Sequence, residues 1–436
     1  MQEVVILGAG MAGFGAAHRL HELGVKSVMF ERNRYYGGNA ASFRSTDAFI
    51  FDVGPHISFT KVKRIQDLFA ESVDFEFETI QAGVNNYWQG HLIKHPVQCN
   101  LYGLPVDLVV KAISDFVYAN NHDCGENKNY SDWLIASYGK TLAETFPMQY
   151  TKKFHTTTAD NMSTDWIGPR MYRPGLEEVL SGALSPQTTD VHYVSHFRYP
   201  THGGFGSFFN RFLRQTDLKM GFELVNLDPG SRKLYFANGT EMTYDKLISS
   251  IPLPELISMI EGVTADVVDA AQKLACTTCV VVNIGINRDD ISETQWTYFY
   301  EDDFFFTRLS YPHMLSPNNS PRGTGTIQAE VYYSNKYKPL DREPQECIAP
   351  VISDLIRCGV VREDDEILYR DARIIPYANV IFDLERADAL STVHGYLDDI
   401  GIAYCGRYGE WGYLWTDESF LSGENAAQRI VNSEDL

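Results

Sequence analysis

The sequence has no long apolar run, few basic residues and no pairing pattern among its cysteines. No stretch of about 18 consecutive apolar residues occurs, so a transmembrane helix is not expected. Lys and Arg together number 37 against 57 Asp and Glu, which gives a formal net charge of −20. A nucleic-acid partner needs a basic face and is therefore not expected, whereas a local group of arginines can still hold a small phosphorylated ligand.

The cysteines indicate a reducing compartment. They are scattered and odd in number, at positions 99, 124, 276, 279, 347, 358 and 405, which is not typical of a disulfide framework. Cys276 and Cys279 form a CxxC that leads into the apolar run VVVNIGI. We interpret it as a buried strand rather than a redox or metal motif, because no second Cys/His pair lies at zinc spacing, and we predict no metal. The N-terminus has no basic region before an apolar segment, so we expect a cytoplasmic protein without a signal peptide.

The first forty residues predict a dinucleotide-binding βαβ unit. The apolar run Val4–Leu7 passes into a glycine-rich turn and then into an alanine-rich helix. A second strand, 27–30, ends at Glu31, where a ribose hydroxyl needs an acceptor. Glycines permit the sharp turn and let a pyrophosphate approach the helix N-terminus. The glycines of this turn are Gly8, Gly10 and Gly13.

The residues just past Glu31 favour FAD over NAD. Arg32 is followed by Gly37, Gly38 and Asn39, an arrangement that resembles the extended flavin fingerprint of amine-oxidase-like flavoproteins. Bare glycine amides let a second phosphate lie against the chain, and an arginine neutralises it. The alternative is a glycine turn flanked by surface arginines. No second GxGxxG occurs, so a separate NADPH domain is not expected and FAD is the predicted cofactor.

The rest of the chain predicts more than one lobe, because 436 residues exceed what one core usually holds. Apolar spacing predicts helices over 101–120, 130–140, 344–356 and 423–431. Strand patterns cover 219–250, where Asn238 and Gly239 lie between alternating runs. Further strands are predicted over 277–286, 296–300, 307–311, 324–333 and, ahead of a glycine turn, in 403–409.

Motifs spread in order along nearly the whole chain resemble those of the UDP-galactopyranose mutases. The loop VGPHISFT, residues 53–60, resembles that family's Gly-Pro-His-Ile-Phe loop beside the flavin. The other matching segments are HPVQCNL (95–101), YGKTLAETF with YTKKF (138–154), WIGPRM (166–171), FRYPTHGGFG (197–206) and CGRYGEWGY (405–413). Each motif alone is weak. The wider amine-oxidase class shares only the first and last, so six in this order favour the mutases.

The resemblance implies a flavin-dependent mutase that interconverts pyranose and furanose forms of a nucleotide-diphospho-sugar of the UDP-galactose type. In that family N5 of the reduced flavin attacks the anomeric carbon and displaces the nucleotide diphosphate, which returns after the ring has closed at its other size. The cofactor would be FAD, active when reduced, with NAD(P)H as the expected reductant. The expected partner is the nucleotide-sugar, and the oligomeric state stays open between monomer and homodimer.

The resemblance also implies an α/β fold, with a Rossmann-type FAD-binding domain, an inserted helical lobe and an antiparallel β-sheet substrate lobe. The expected FAD-binding domain is discontinuous and comprises 1–90, 200–255 and 385–436. The expected helical lobe is 95–175. The expected substrate lobe comprises 176–200 and 256–384.

Site roles follow from the matching motifs. Arg308 and Arg407 fall where the family places its two diphosphate arginines, which bind phosphate bidentately and stay charged. His56, held by Pro55, would complete the catalytic set as a flavin-facing positioning residue, with a buried turn histidine as the alternative. The expected substrate-binding residues are Gln98, Trp166, Arg170, Tyr298, Tyr377 and Tyr413. The expected cofactor-binding residues are Gly8, Gly10, Gly13, Glu31, Arg32, Gly37, Gly38, Asn39, Gly406, Arg407 and Asp417.

The sequence departs from the family pattern at the expected base pocket. His95 and Val97 stand where aromatic residues are expected, and His155 follows YTKKF where the family has a tryptophan. Leu315 replaces an expected tyrosine. Uridine as the base and galactose as the sugar therefore stay open. Two other functions also stay open, namely an FAD oxidase or dehydrogenase of the amine-oxidase class and a flavin-binding protein without turnover.

Overall fold

The computed structural model describes residues 4–122, 126–191 and 193–432, so that Cys124 lies outside the described residues. The strands are β1 (Val4–Leu7), β2 (Ser27–Glu31), β3 (Ser42–Arg44), β4 (Ile50–Asp52), β5 (Phe77–Gln81), β6 (Val84–Trp88), β7 (His91–Lys94), β8 (His196–Pro200), β9 (Asp217–Met220), β10 (Leu224–Asp228), β11 (Lys233–Phe236), β12 (Glu241–Thr243), β13 (Lys246–Ser249), β14 (Thr277–Ile286), β15 (Trp296–Phe299), β16 (Arg308–Ser310), β17 (Gly325–Ser334), β18 (Ile367–Ile375) and β19 (Ile402–Tyr404).

The helices are α1 (Met11–Glu22), α2 (Lys63–Ser72), α3 (Val106–Asn121), α4 (Tyr130–Tyr138), α5 (Lys140–Thr145), α6 (Pro147–Phe154), α7 (Leu176–Leu184), α8 (Asn210–Leu213), α9 (Leu253–Met259), α10 (Ala265–Lys273), α11 (Ile348–Arg357), α12 (Arg386–Asp399), α13 (Gly406–Gly409) and α14 (Thr416–Asn432). Among the described residues, none of these helices combines the length and the apolar character that crossing a membrane requires.

The N-terminal βαβ unit forms as predicted and lies at the centre of a parallel sheet. Within the described residues this sheet has five strands in the order β19-β13-β1-β2-β9, and each pair is parallel. All four residues of β1 are buried, as expected for a parallel strand whose two faces are both covered. The carboxyl ends of β1, β13 and β19 therefore meet at one edge, where a ligand binds in such sheets.

A second, mostly antiparallel sheet confirms the predicted strand-rich region. In the described chain it has seven strands in the order β18-β14-β17-β16-β15-β6-β7, and β15 pairs with β6 in parallel. β14 contains Cys279 and the run VVVNIGI, and nearly all of its residues are buried between β17 and β18. The interpretation of the CxxC as the start of a buried strand is thus confirmed. The α/β fold class, with a parallel Rossmann-type sheet and antiparallel sheets, is confirmed as well, while the domain boundaries stay a prediction.

Helices α3 to α7 lie between β7 and β8 along the chain. The predicted helix start at 101 is wrong, because α3 begins at Val106, after Pro105 at the N-cap position. Proline has no amide hydrogen to donate and is tolerated only at the start of a helix. α4 begins at Tyr130 as predicted, where Oδ1 of the N-cap residue Asn129 accepts a hydrogen bond from the amide of Asp132 at 3.0 Å, and it ends at Tyr138, before Gly139.

Two further helices differ from the prediction at their first turns. The segment Pro344–Cys347 is a 3₁₀ turn, and the α-helix α11 begins only at Ile348. The C-terminal helix α14 begins at Thr416, seven residues before the predicted start at Gly423. The predicted Asn-Gly hairpin is confirmed, because β11 and β12 are antiparallel on either side of Gly239, whose φ is +82°.

α1 and α14 approach each other more closely than side chains would allow. A Cβ placed on Gly15 would lie 2.0 Å from the carbonyl oxygen of Phe420. A Cβ on Gly423 would lie 1.9 Å from the carbonyl oxygen of Ala12. The two backbones are therefore in direct contact, and glycine is required at both positions for steric reasons.

We expect Gly423→Ala to destabilise the protein by about 1–3 kcal/mol, because the added methyl group must push α1 and α14 apart. The control is Gly395→Ala in α12, where a Cβ meets no atom within 4 Å. That exposed change should be neutral or should raise stability by up to about 1 kcal/mol through helix propensity. Chemical denaturation of both variants measures the difference. Equal stability of the two variants would contradict the close contact.

Candidate active site

One long cavity joins the edge of the parallel sheet to the face of the seven-stranded sheet. Its volume is about 890 Å³, within the range of small-molecule and cofactor sites. The predicted site residues that line it are Gly8, Gly10, Glu31, Arg32, Gly37, Gly38, Asn39, His56, Tyr298, Arg308, Tyr377, Gly406, Arg407 and Tyr413. The predicted residues outside its lining are Gly13, Gln98, Trp166, Arg170 and Asp417.

The glycine turn after β1 leaves open space at the N-terminus of α1. Gly8 has a φ of +95°, which only glycine adopts freely, and a Cβ on Gly13 would lie 2.0 Å from the carbonyl oxygen of Gly8. A Cβ on Gly10, in contrast, meets no atom within 4 Å and would project into open space. The first amides of α1 have no partner within the helix, so this space can receive a phosphate.

Glu31 connects the two turns of the βαβ unit. Its Oε2 accepts a hydrogen bond from the amide of Ala9 at 2.9 Å. Its Oε1 accepts bonds from the amide and the side chain of Asn33 at 2.9 and 2.7 Å. A carboxylate offers about four lone-pair positions. One acceptor position is therefore left on this cavity-lining group, which suits the predicted contact to a ribose hydroxyl.

Asn39, which follows the second glycine turn at Gly37 and Gly38, forms hydrogen bonds to the opposite wall of the cavity. Its Nδ2 donates to the carbonyl oxygen of Tyr377 and to the hydroxyl of Tyr408, both at 2.7 Å. The amide of Gly54 donates to the carbonyl oxygen of Asn39 at 3.1 Å. Tyr408 is thus a cavity residue that the sequence did not single out, although it lies directly after Arg407.

His56 lines the cavity in the neutral state. Its Nδ1 donates to the carbonyl oxygen of Gly54 at 2.6 Å, and its ring packs 5.5 Å from that of Phe205. Burial lowers the pKa of His56 to about 4, against the opposing effect of the Gly54 hydrogen bond, and the charges of Arg407 and Arg308 lower it further. The ring therefore keeps a free lone pair on Nε2 at neutral pH.

The loop that carries His56 is anchored by a buried carboxylate. Asp52, at the end of β4, accepts hydrogen bonds from the hydroxyls of Ser42 and Tyr199 at 2.6 and 2.9 Å and from the amide of Phe205 at 2.9 Å. Burial raises the pKa of Asp52 to about 6 despite these bonds. The sequence did not reveal this anchor, because two of its three partners, Tyr199 and Phe205, lie more than 140 residues away in the chain.

The register of three strands places a row of polar side chains on the cavity wall. Tyr298 on β15 is opposite Arg308 on β16, and Arg308 is opposite Glu330 on β17. The Arg308 guanidinium binds Glu330 at two points, with Nη2 to Oε1 at 2.8 Å and Nε to Oε2. Glu330 is 3% exposed. The predicted diphosphate arginine thus already holds one buried carboxylate.

Tyr332 and Cys279 extend this wall. Tyr332 lies two residues after Glu330 on the same face of β17, and Cys279 is its partner on β14. Burial raises the pKa of the Cys279 thiol well above its usual range, so the group stays protonated. A thiol in this state is a poor nucleophile and a poor metal ligand.

Arg407 is held mainly by backbone carbonyl groups. Its Nε and Nη2 donate to the carbonyl oxygen of Leu414 at 2.9 and 2.6 Å, and Nη1 reaches Oδ1 of Asn379 at 3.3 Å. The guanidinium carbon lies 5.0 Å from the ring centroid of Tyr413. Arg407 therefore fixes the 407–414 turn and contributes its charge to the cavity.

Arg170 lies between two aromatic rings that line the cavity. Its guanidinium carbon lies 4.6 Å from the ring centroid of Tyr413 and 4.3 Å from that of Trp415. On its other side Trp415 stacks with Tyr193, with an interplanar angle of 10° and a centroid distance of 5.7 Å. Trp415 was not predicted, because it lies two residues beyond the end of the motif CGRYGEWGY (405–413).

The residues of the expected base pocket lie outside the lining of the cavity. Gln98 donates to the carbonyl oxygen of Tyr172 at 3.0 Å, and Trp166 packs 5.5 Å from the ring of His155. Burial lowers the pKa of His155 to about 3. Asp417 lies in the first turn of α14, between Thr416 and Ser419, which line the cavity. The roles of these residues stay predictions.

Two comparisons of sequence match the start of the chain. The family model of an NAD(P)-binding Rossmann-like domain matches residues 6–72. The 15-cis-phytoene desaturase of an Oncidium hybrid cultivar is 38% identical over 69 residues, which are 16% of this chain and 12% of that protein. The 1-hydroxycarotenoid 3,4-desaturase of Flavobacterium sp. (strain P99-3) is 30% identical over 93 residues, or 20% and 19% of the two chains. The chain thus spans only a small part of these relatives.

Comparison of structures matches the whole chain. A crystal structure of reduced UDP-galactopyranose mutase superposes with a TM-score of 0.93 and 25% identity, over 99% of this chain and 96% of that one. The chain has the fold of UDP-galactopyranose mutase. A putative protoporphyrinogen oxidase from Exiguobacterium sp. 255-15 follows at a TM-score of 0.76 and 15% identity over 98% of each chain, which shows the common fold alone.

The residues of this cavity fit FAD, the cofactor of the mutase-like fold. The open space at Gly10 matches a pyrophosphate, and Glu31 retains an acceptor position for a ribose. Gly406, with φ of +77°, lies against α1, where a Cβ would meet that of Ala12 at 2.6 Å. These residues and Asn39 would hold the two ends of the dinucleotide. His56 and Tyr377 line the same cavity.

We expect Gly10→Ala to weaken FAD binding at least tenfold while the folded state keeps its stability. The methyl group meets no protein atom, so it occupies space that the pyrophosphate needs. Gly175→Ala is the control, because Gly175 is also an extended N-cap glycine, of α7, but lies away from the cavity. Titration of the apoprotein with FAD measures both affinities. Unchanged affinity in Gly10→Ala would contradict this position for the pyrophosphate.

Proposed function

We propose that the protein is a flavin-dependent mutase that interconverts the pyranose and furanose forms of a nucleotide-diphospho-sugar. The observation that carries the proposal is the continuity of one cavity. It begins at the dinucleotide turn and ends at Arg308, Tyr298 and Tyr413, within a chain that has the mutase fold over its full length. A single cavity of this kind can hold FAD and a second, phosphorylated ligand together.

Arg308 keeps donors for a diphosphate although it is paired. A guanidinium has five N–H groups, and Glu330 takes one on Nε and one on Nη2. The remaining N–H groups are on the edge that Glu330 does not contact. Because Glu330 fixes two atoms of the plane, these donors are held in one orientation, which favours binding of a leaving group that must return to the sugar.

The hydroxyls of two tyrosines complete the phosphate contacts in this proposal. Tyr298 lies beside Arg308, and its oxygen accepts a bond from Nε1 of Trp296 at 3.2 Å, so its own proton is available to a ligand. Burial raises the pKa of Tyr298, which keeps this proton in place. Tyr413 lies under the guanidinium groups of Arg170 and Arg407.

Bound and reduced, the flavin supplies the nucleophile for the anomeric carbon. The protein's own groups then have three tasks. Arg308 and the tyrosines hold the diphosphate, the aromatic rings of Trp296 and Trp415 exclude water, and neutral His56 presents an unprotonated Nε2 to the middle of the cavity. No Ser or Cys nucleophile of the chain is required, which agrees with a protonated Cys279.

A second candidate is an FAD oxidase or dehydrogenase of the amine-oxidase class. The observation in its favour is the pairing of Arg308 with the buried Glu330, which leaves no net charge and suits an uncharged substrate as well. Such an enzyme would need a substrate C–H or N–H bond next to oxidised flavin, and no diphosphate.

One experiment separates the two functions. The purified flavoprotein is reduced with dithionite and incubated with a panel of UDP- and TDP-hexoses, and the products are resolved by chromatography. Furanose product that forms only with reduced protein supports the mutase and names its sugar and base. Bleaching of the oxidised flavin by a substrate without added reductant supports the oxidase or dehydrogenase, and overturns the mutase if no furanose forms.

Arg308→Ala should lower mutase turnover at least 100-fold, because the leaving diphosphate loses its buried cationic partner. Flavin content and the flavin spectrum should stay unchanged. Arg370→Ala is the control, since Arg370 is exposed on the edge strand β18 of the same sheet and lies outside this cavity. Loss of bound flavin in Arg308→Ala would show that the residue is structural.

His56→Gln should lower turnover without changing its dependence on pH between 6 and 9. With a pKa of about 4, His56 is neutral throughout this range and takes up a proton only as the pH falls towards 4. Rates of the reduced wild-type and variant proteins across this range test the expectation. A titration step near neutrality that is present in the wild type and lost in the variant would instead assign His56 as a general base.

A further inference from the structure

A cluster of three potential ligands lies between α1 and α14, away from the cavity. His18 and Glu22 are four residues apart on α1 and therefore on one face of the helix, and Glu424 faces them from α14. One ligand atom from each residue lies within 4.8 Å of the other two. None of the three lines the cavity of the candidate active site.

The His18 ring points an unpaired nitrogen at the two carboxylates. The residue is only 4% exposed, and Nε2 has no hydrogen-bond partner among the described residues. Nε2 lies 3.5 Å from Oε1 of Glu22, which is longer than an N–H···O bond. On the other side of the ring, Nδ1 lies 3.2 Å from Oε1 of Gln215. An amide oxygen only accepts, so Nδ1 carries a proton, and in the neutral ring Nε2 therefore has the lone pair that can bind a cation.

The ring is also fixed in place. The phenyl groups of Phe212 and Phe420 pack 5.3 and 5.8 Å from it. A buried ring nitrogen without a hydrogen-bond partner is costly, and a cation shared with the two carboxylates would satisfy all three groups.

Each carboxylate is itself held by an arginine. Nη1 of Arg19 donates to Oε2 of Glu22 at 2.9 Å, which leaves Oε1 directed at His18. Arg64 binds Glu424 through two nitrogens, one of them at 2.8 Å from Oε1, and its own side chain is 47% exposed. Residues that ligate metals are commonly oriented by such outer hydrogen bonds, with a histidine donating its other N–H to an oxygen.

From this arrangement we infer a binding site for a divalent cation of the zinc class, with Nε2 of His18 and one oxygen each of Glu22 and Glu424 as ligands. One imidazole and two carboxylates are a donor set that zinc accepts. Tetrahedral bonds of about 2.0–2.1 Å separate ligand atoms by about 3.4 Å, close to the distance between His18 and Glu22. A water molecule can supply the fourth ligand, because the Glu22 side chain is 39% exposed.

The cation would join the helix of the dinucleotide turn to the C-terminal helix. Arg64 keeps one oxygen of Glu424 and can move its half-exposed side chain outward, so the site does not require a change of fold. The two arginines lower the affinity for a cation by repulsion, so binding should depend on all three ligands. Because the cluster lies outside the cavity, this inference is independent of the proposed function.

Zinc binding to the flavoprotein tests the inference. The chelator-treated protein is titrated with ZnCl₂ by calorimetry, and Co²⁺ is titrated in parallel to detect the visible absorption of a tetrahedral site. We expect one equivalent of Zn²⁺ to bind and to raise the midpoint of thermal unfolding. Glu22→Gln, a partly exposed change that should not affect folding, should weaken this binding at least tenfold, and His18→Gln and Glu424→Gln should abolish it.

His21→Gln provides the matched control, because His21 is exposed on the same helix and outside the cluster. It should bind Zn²⁺ as the wild type does. If His18→Gln fails to fold, the comparison of Glu22→Gln with His21→Gln still decides the question. Equal zinc affinity in Glu22→Gln and the wild type, or no binding at one equivalent in the wild type, would overturn the site.

Discussion

The backbone contact between α1 and α14 is the constraint on which the cofactor end of the molecule depends. Gly15 and Gly423 let the two helices touch without side chains between them. The N-terminus of α1 forms the dinucleotide turn, and the N-terminus of α14 follows directly after Trp415 on the cavity wall. The distance between the dinucleotide turn and the cavity wall at Trp415 is therefore set by Gly15 and Gly423, neither of which lines the cavity. A small shift of either helix would alter the width of the cavity.

The other end of the cavity depends on strand register. Tyr298, Arg308 and Glu330 are neighbours only because β15, β16 and β17 pair as they do, and a slip by one residue would turn Arg308 to the opposite face. A buried ion pair is costly to desolvate, and removal of one partner leaves a buried charge. The main effect of the pair is therefore to fix the orientation of Arg308, and its contribution to the stability of the protein is small.

Much of the fold could be predicted from the sequence where the pattern is local. β1 and β14 have the predicted bounds, because a short, continuous apolar run predicts a strand that is buried on both faces. The predicted start of α3 was wrong because the apolar spacing continues across Pro105, which limits the helix to the residues after it. The predicted start of α14 was wrong because its first turn is stabilised by a hydrogen bond from the amide of Trp415 to Glu418 and not by an apolar face.

The site was less predictable for the same reason. Its glycines, Glu31 and Arg308 carry motif signals. Glu330, in contrast, depends on Arg308, which is 22 residues away, and Asp52 depends on Tyr199 and Phe205, which are 147 and 153 residues away. The resemblance to a family singled out Arg170 as a substrate-binding residue, but only the structure shows its guanidinium against the rings of Tyr413 and Trp415. Spacing along the chain does not encode such contacts, because they depend on how separate loops meet.

The strand order of the parallel sheet has a consequence for how the protein is made. β1 and β2 are synthesised well before their neighbours in the sheet, β13 and β9, and β19 comes later still. Gly406 and Ser419 add their part of the cavity wall only after both sheets have been made. The nascent chain must therefore keep the apolar strands β1 and β2 protected until β9 and β13 follow, and the cavity for FAD is incomplete until α13 and α14 have emerged.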